Sequence, residues 1–158
     1  MPSDLKPMQK HEFNPVLDVL RALAVRLPLM VLLGVASAHG QDLSLGDSLA
    51  LGFGQASHLP TRAVVGASSC RILGMTPSGH YDFVLLSAGT NDVPGRCIEA
   101  IRARLDADHV EWVLPVNGSR RHVQEVAAAN GDSVLTYTPG RGRGWPHPAR
   151  YFDVRRVR

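Results

Sequence analysis

After His39, short apolar runs alternate with segments of helical or loop character, the pattern of a parallel sheet whose strands are joined by helices. The runs are Asp42 to Leu45, Ala63 to Val65, Phe83 to Ser87, Glu111 to Pro115 and Ser133 to Tyr137, so an α/β domain with a small open sheet of five strands is predicted. Between them, Arg96 to Asp106 carries Ile98, Ile101 and Leu105 at helical spacing, and Arg120 to Ala129 is rich in helix formers with Gly131 placed to close it. A last short helix is expected over Ala149 to Arg158, with Tyr151, Val154 and Val157 on one side. At 158 residues and 44% hydrophobic content the chain can build one ordinary core. No internal repeat and no linker rich in Pro, Gly or Ser divides residues 39–158.

The first forty residues read differently. Both lysines, Lys6 and Lys10, lie there, and the apolar run Leu27 to Ala36 follows Arg21 and Arg26. The run is too short to span a bilayer. It ends in Ala36-Ser37-Ala38, the small-x-small form that signal peptidase accepts, so residues 1–38 read as a signal peptide cleaved after Ala38. The mature chain is then exported to the periplasm or beyond, without a stable membrane span. The long stretch ahead of the run, with Asp18 in it, keeps open an amphipathic N-terminal helix instead.

Two cysteines, Cys70 and Cys97, each follow a predicted strand end, and a disulfide joining two neighbouring loops suits an exported chain. Two unpaired thiols are the alternative. The formal charge of +3 makes the surface mildly basic, but no stretch interleaves arginines with aromatics, which argues against a nucleic-acid platform.

In an open parallel sheet, ligands sit beyond the carboxyl ends of the strands. That rule singles out Gly46-Asp47-Ser48, Gly66-Ala67-Ser68, Gly89-Thr90-Asn91-Asp92, Val116-Asn117-Gly118 and the loop leading to His147. A serine at the start of a helix exposes its hydroxyl and keeps its own N–H unpaired, and Ser48 is so placed. As a nucleophile it needs a base, because a free hydroxyl is hardly ionised at neutral pH, and it needs donors for the oxyanion formed on attack. The Gly66 N–H and the Asn91 carboxamide, with the Ser48 N–H, can supply three donors, each typically worth about 3 kcal/mol of transition-state stabilisation. His147, late in the chain and followed by Pro148, can reach the same rim as base.

Gly46-Asp47-Ser48-Leu49 after the first strand, a lone glycine after the second, Gly89-Thr90-Asn91-Asp92 after the third and the late His147-Pro148 resemble, in order, the four blocks of SGNH/GDSL hydrolases. The resemblance covers about residues 42–151 and implies a flavodoxin-like three-layer α/β/α sandwich that acts on small-molecule or carbohydrate-linked acyl esters and needs no cofactor. It also implies Ser48 as nucleophile, His147 as base, and Ser48, Gly66 and Asn91 as the oxyanion hole. The chain departs from the family at Gly144, where an aspartate usually orients the imidazole. A backbone carbonyl of the Arg141 to Trp145 loop, or a carboxylate from elsewhere such as Asp153 or Asp132, can replace it; otherwise the site is impaired and the chain is a binding module. The reading taken is a dyad oriented by backbone.

Bland roles fit other residues. Asp47 and Asp92 suit loop fixing, and Ser68 and Ser69 suit turn capping. Asn117 either lines the pocket or forms a turn with Gly118, and Trp145 either walls the site or covers the C-terminal end. His58, His80, His109 and His122 lack metal-ligand spacing, so no metal is expected, and Arg155, Arg156 and Arg158 read as a solvated face. The glycines from Gly46 to Gly54 lack the Gly-Lys-Ser/Thr of a nucleotide loop.

Overall fold

A computed structural model describes residues 41–141 and 146–154. The leader assignment over 1–38, the loop residues Gly144 and Trp145, and the arginines at 155, 156 and 158 lie outside the described residues. In chain order the elements are β1 (Gln41–Gly46), α1 (Ser48–Ala56), β2 (Thr61–Ala63), α2 (Ser69–Met75), β3 (His80–Ser87), α3 (Ile98–Arg104), β4 (Asp106–Val113), α4 (Arg120–Asn130) and β5 (Ser133–Leu135). All strand pairs are parallel, in the spatial order β2-β1-β3-β4-β5. This is the flavodoxin-like order, and the expected α/β fold with five strands is present.

Alternation along the central strands builds the two cores. On β3, Val84 and Leu86 point to one side, where Ile72 of α2, Ile98 and Ile101 of α3 and Val123 of α4 meet Trp112 of β4. Phe83 and Leu85 point to the other, against Leu49 and Phe53 of α1 and Val154 near the end of the chain. The sheet is therefore covered on both faces, as parallel strands require. Phe53 is fully buried, and burying a side chain of that size contributes about 2–3 kcal/mol.

Local boundaries differ from expectation for physical reasons. β2 lies at Thr61–Ala63, two residues early, because Val64 to Ala67 is a turn closed by the Ala67 N–H on the Val64 carbonyl at 3.1 Å. Gly66, at φ +73°, takes the left-handed position that a type II turn demands of its third residue. β4 starts at Asp106, not Glu111, since its polar first half pairs through backbone with His80 to Phe83 while its side chains stay largely exposed. No helix forms over 149–153. Tyr151 and Phe152, adjacent in sequence, both pack on Phe53 with centroids 4.9 and 5.1 Å away, which helical side chains turned 100° apart could not both do.

Cys70 and Cys97 form a disulfide, with Cα atoms 5.0 Å apart. It joins the start of α2 to the residue preceding α3, and so ties together the loops that follow β2 and β3. No helix among the described residues is long and apolar enough to cross a membrane.

Candidate active site

Chain direction along the sheet reverses between β1 and β3, and at such a point the loops beyond the carboxyl ends of the two strands diverge and leave a crevice. Ser48 opens α1 directly after β1 and is half-buried. Asp47 before it is the helix N-cap, its Oδ1 accepting the Leu49 N–H at 2.9 Å. The strand can turn this sharply into the helix only because residue 46 is glycine. Its φ is +144°, and a Cβ there would fall 2.0 Å from the Ser87 carbonyl oxygen.

Asp47 organises the crevice floor. Its Oδ1 also accepts the Ser87 hydroxyl at 2.8 Å, and its Oδ2 accepts Asn91 Nδ2 at 3.4 Å. Burial pushes its carboxyl above the ordinary value, opposed by the hydrogen bonds from Ser87 and Leu49 that favour the ionised form. The second Asn91 N–H goes to the Ala67 carbonyl at 3.1 Å, so this side chain bridges the loop holding Gly66 to the residue preceding Ser48. Gly66 itself is exposed at the rim.

The β3 loop is fixed from three sides. Asp92 accepts the Ser69 N–H at 2.9 Å and the Ser69 hydroxyl at 2.5 Å. Asn117 Nδ2 donates to the carbonyls of Gly89 and Thr90 at 2.9 and 2.8 Å, a brace for this loop rather than a plain turn. Ser68 caps α2, whereas Ser69 serves Asp92 instead.

At the third side, His122 Nδ1 lies 3.0 Å from the Pro94 carbonyl and Nε2 lies 2.5 Å from Glu99 Oε1. The Pro94 carbonyl and then Glu99 raise the imidazole above its ordinary 6.5, while His122 and then Glu99's own N–H lower the Glu99 carboxyl below 4.5. The histidine's contribution is complete below 6.5 and fades as pH rises through its folded value; the glutamate's is complete above 4.5 and fades as pH falls through its own. Thermal melting of His122→Gln should therefore trail the wild type most between pH 4.5 and 6.5, by the equivalent of under about 1 kcal/mol for so exposed a pair, with the gap closing at higher pH. A gap that widens above pH 8 would contradict this assignment.

His147 arrives on the C-terminal segment. Its carbonyl accepts the Gly140 N–H at 2.6 Å, Pro139 and Pro148 form an antiparallel bridge, and the Tyr137 hydroxyl donates to the Pro146 carbonyl at 2.9 Å. Its Nε2 lies 3.3 Å from Ser48 Oγ across 99 residues of sequence. Its Nδ1 lies 2.5 Å from the hydroxyl of Tyr151. Burial first, and then the charge of Asp47, push that phenol above its ordinary value, and Tyr137 is raised further by the same two causes and by Tyr151.

Tyr151, which meets Nδ1, is not among the groups named from the sequence, and of the Arg141 to Trp145 loop, residues 142–145 lie outside the described residues. Asp132 sits elsewhere, accepting Arg102 Nε at 2.7 Å and Trp112 Nε1 at 2.9 Å. Asp153 stands two residues past Tyr151, whose hydroxyl meets Nδ1. Sequence reading put Tyr151 on the apolar side of a helix; the one available signal was an aromatic hydroxyl four residues beyond the histidine.

Two features lie at the opposite end of the sheet. A concavity of about 510 Å3 is lined by Gln41, Asp42, Thr61, Arg62 and Tyr81 among others. His80, Asp82 and Asp108 converge on the surface, with His80 Nδ1 also 3.1 Å from Asp106. These are exposed groups in an ion-pair cluster, which strand spacing did not reveal.

No family model, no curated protein and no solved structure matches this chain.

Proposed function

We propose that the chain is a serine esterase of the SGNH/GDSL type. The observation that carries this reading is the 3.3 Å approach of Ser48 Oγ to His147 Nε2, at a helix N-terminus in the crevice where the sheet changes direction. Ser48 Oγ attacks the ester carbonyl and passes its proton to Nε2. The oxyanion is held by the N–H groups of Ser48 and Gly66 and by Asn91, which turns one N–H from Asp47 to the substrate; its 3.4 Å bond there is the longer of its two. His147 returns the proton to the departing alcohol, and water activated by the same nitrogen releases the acid. The substrates are small-molecule or carbohydrate-linked acyl esters, and transfer to another alcohol uses the same groups. The disulfide suits an exported, oxidising setting.

A second reading, a ligand-binding module on the same fold, is favoured by the phenol standing where a carboxylate is usual. A series of nitrophenyl esters of increasing acyl length separates the two. The esterase turns over the short members, and His147→Ala lowers kcat/KM about 10²- to 10³-fold. Saturable binding with no turnover by the wild type supports the module.

A further inference from the structure

We infer that Tyr151, seated in a gap that Gly52 leaves in α1, is the positioning residue for His147 and replaces the carboxylate partner with a neutral phenol. This rests on the esterase reading for its kinetic part and stands on geometry for the rest. Ser48 and Gly52 are four residues apart and share one face of α1. A Cβ at Gly52 would fall 2.2 Å from Tyr151 Cζ and 2.3 and 2.5 Å from Cε1 and Cε2. The hydroxyl-bearing end of the ring therefore lies directly over the glycine. Phe53, next in sequence, holds the ring edge-on at 84°. The result is a line along one helix turn: the Ser48 hydroxyl, then the imidazole, then the phenol oxygen 2.5 Å from Nδ1.

A phenol and a carboxylate do different work at Nδ1. A carboxylate only accepts, so it fixes the proton on Nδ1 and leaves Nε2 bare toward the serine. A phenol both donates and accepts. Two arrangements result: Nδ1–H donating to the phenol oxygen, with Nε2 ready to take the Ser48 proton, or the phenol donating to Nδ1, with Nε2–H turned toward Ser48 and unable to act as base. Once Nε2 takes the serine proton, the imidazolium Nδ1–H donates to the phenol oxygen, an acceptor without charge. Burial of Tyr151 keeps it in that neutral form.

The test uses the full chain with 15N-labelled histidine, and His147→Gln to assign the signal. Wild type is expected to show averaged ring-nitrogen shifts from the two tautomers. Tyr151→Phe keeps the ring in the gap and removes only the oxygen. It should move those shifts toward the Nε2–H form that predominates in a free imidazole, and lower kcat about 10- to 100-fold with KM little changed, the loss of one hydrogen bond to a charged group. Gly52→Ala gains helix propensity but drives its methyl into the Tyr151 ring, so it tests the same bond by displacing the phenol, with a thermal melt on the same preparation to show that the domain stays folded. It should lower kcat similarly, and the double variant should be no worse than Gly52→Ala alone. Unchanged ring shifts and unchanged kcat in Tyr151→Phe overturn the inference. A wild type that hydrolyses no ester overturns the esterase reading, while the ring shifts still decide the role of Tyr151.

Discussion

Ser48→Ala is expected to lower kcat/KM for a short nitrophenyl ester by about 10⁴-fold or more while leaving the melting temperature within a degree or two. The two halves of that result have separate causes. The hydroxyl is the only atom removed, and in the proposed reaction no bond forms to substrate without it; what survives is the oxyanion donors acting on water. Stability is unaffected because the helix cap is the Asp47 side chain, not Ser48, and alanine is the better helix former at the first helical position. A variant that lost activity and stability together would point to damage in α1 rather than to a missing nucleophile. Kinetics and a thermal melt on the same preparation distinguish these outcomes.

Gly46→Ala is expected to be the most destabilising single substitution in the crevice, by about 4 kcal/mol or more, a large fraction of the 5–15 kcal/mol that holds a domain this size together. Two penalties add. The backbone at φ +144° lies where residues with a Cβ are strained, and the new methyl would sit 2.0 Å from the Ser87 carbonyl oxygen, 2.9 Å from its carbon and 3.0 Å from its nitrogen. Those atoms belong to the end of central strand β3, buried between two packed layers, so they cannot yield as a surface side chain would. Ser87 also donates its hydroxyl to Asp47, so any shift disturbs the cap beneath Ser48. Urea unfolding measures the loss directly. A change under 1 kcal/mol would mean that the turn from β1 into α1 is far more adaptable than its packing implies.

Legibility in the sequence followed side-chain burial. β3 is evident because five of its residues, Tyr81, Phe83, Val84, Leu85 and Leu86, put large apolar groups toward two cores, and the end of β4 is visible for the same reason through Trp112 and Val113. The polar half of β4, Asp106 to His109, is held by backbone pairing that leaves no periodic trace. α2 is seven residues long and stabilised by its Ser68 cap, the Asp92 clamp and the disulfide more than by an apolar stripe. In the candidate site, Ser48, Gly66 and Asn91 could be picked out because each follows a strand. The contacts of Asn91 with Asp47 and Ala67 could not, since both are tertiary and neither residue type announces its partner. Tyr151 escaped for the same reason: its place depends on a one-atom vacancy at Gly52, 99 residues earlier, and no local pattern links the two.

The proposed chemistry depends above all on the Ser48 hydroxyl being activated by the imidazole beside it. Treatment with a fluorophosphonate probe, followed by digestion and mass mapping of the modified peptide, tests this most directly. The account predicts one adduct per chain, on Ser48, absent in Ser48→Ala and formed much more slowly in His147→Ala. A wild-type chain that takes up no probe, or an adduct on any other residue, would contradict it.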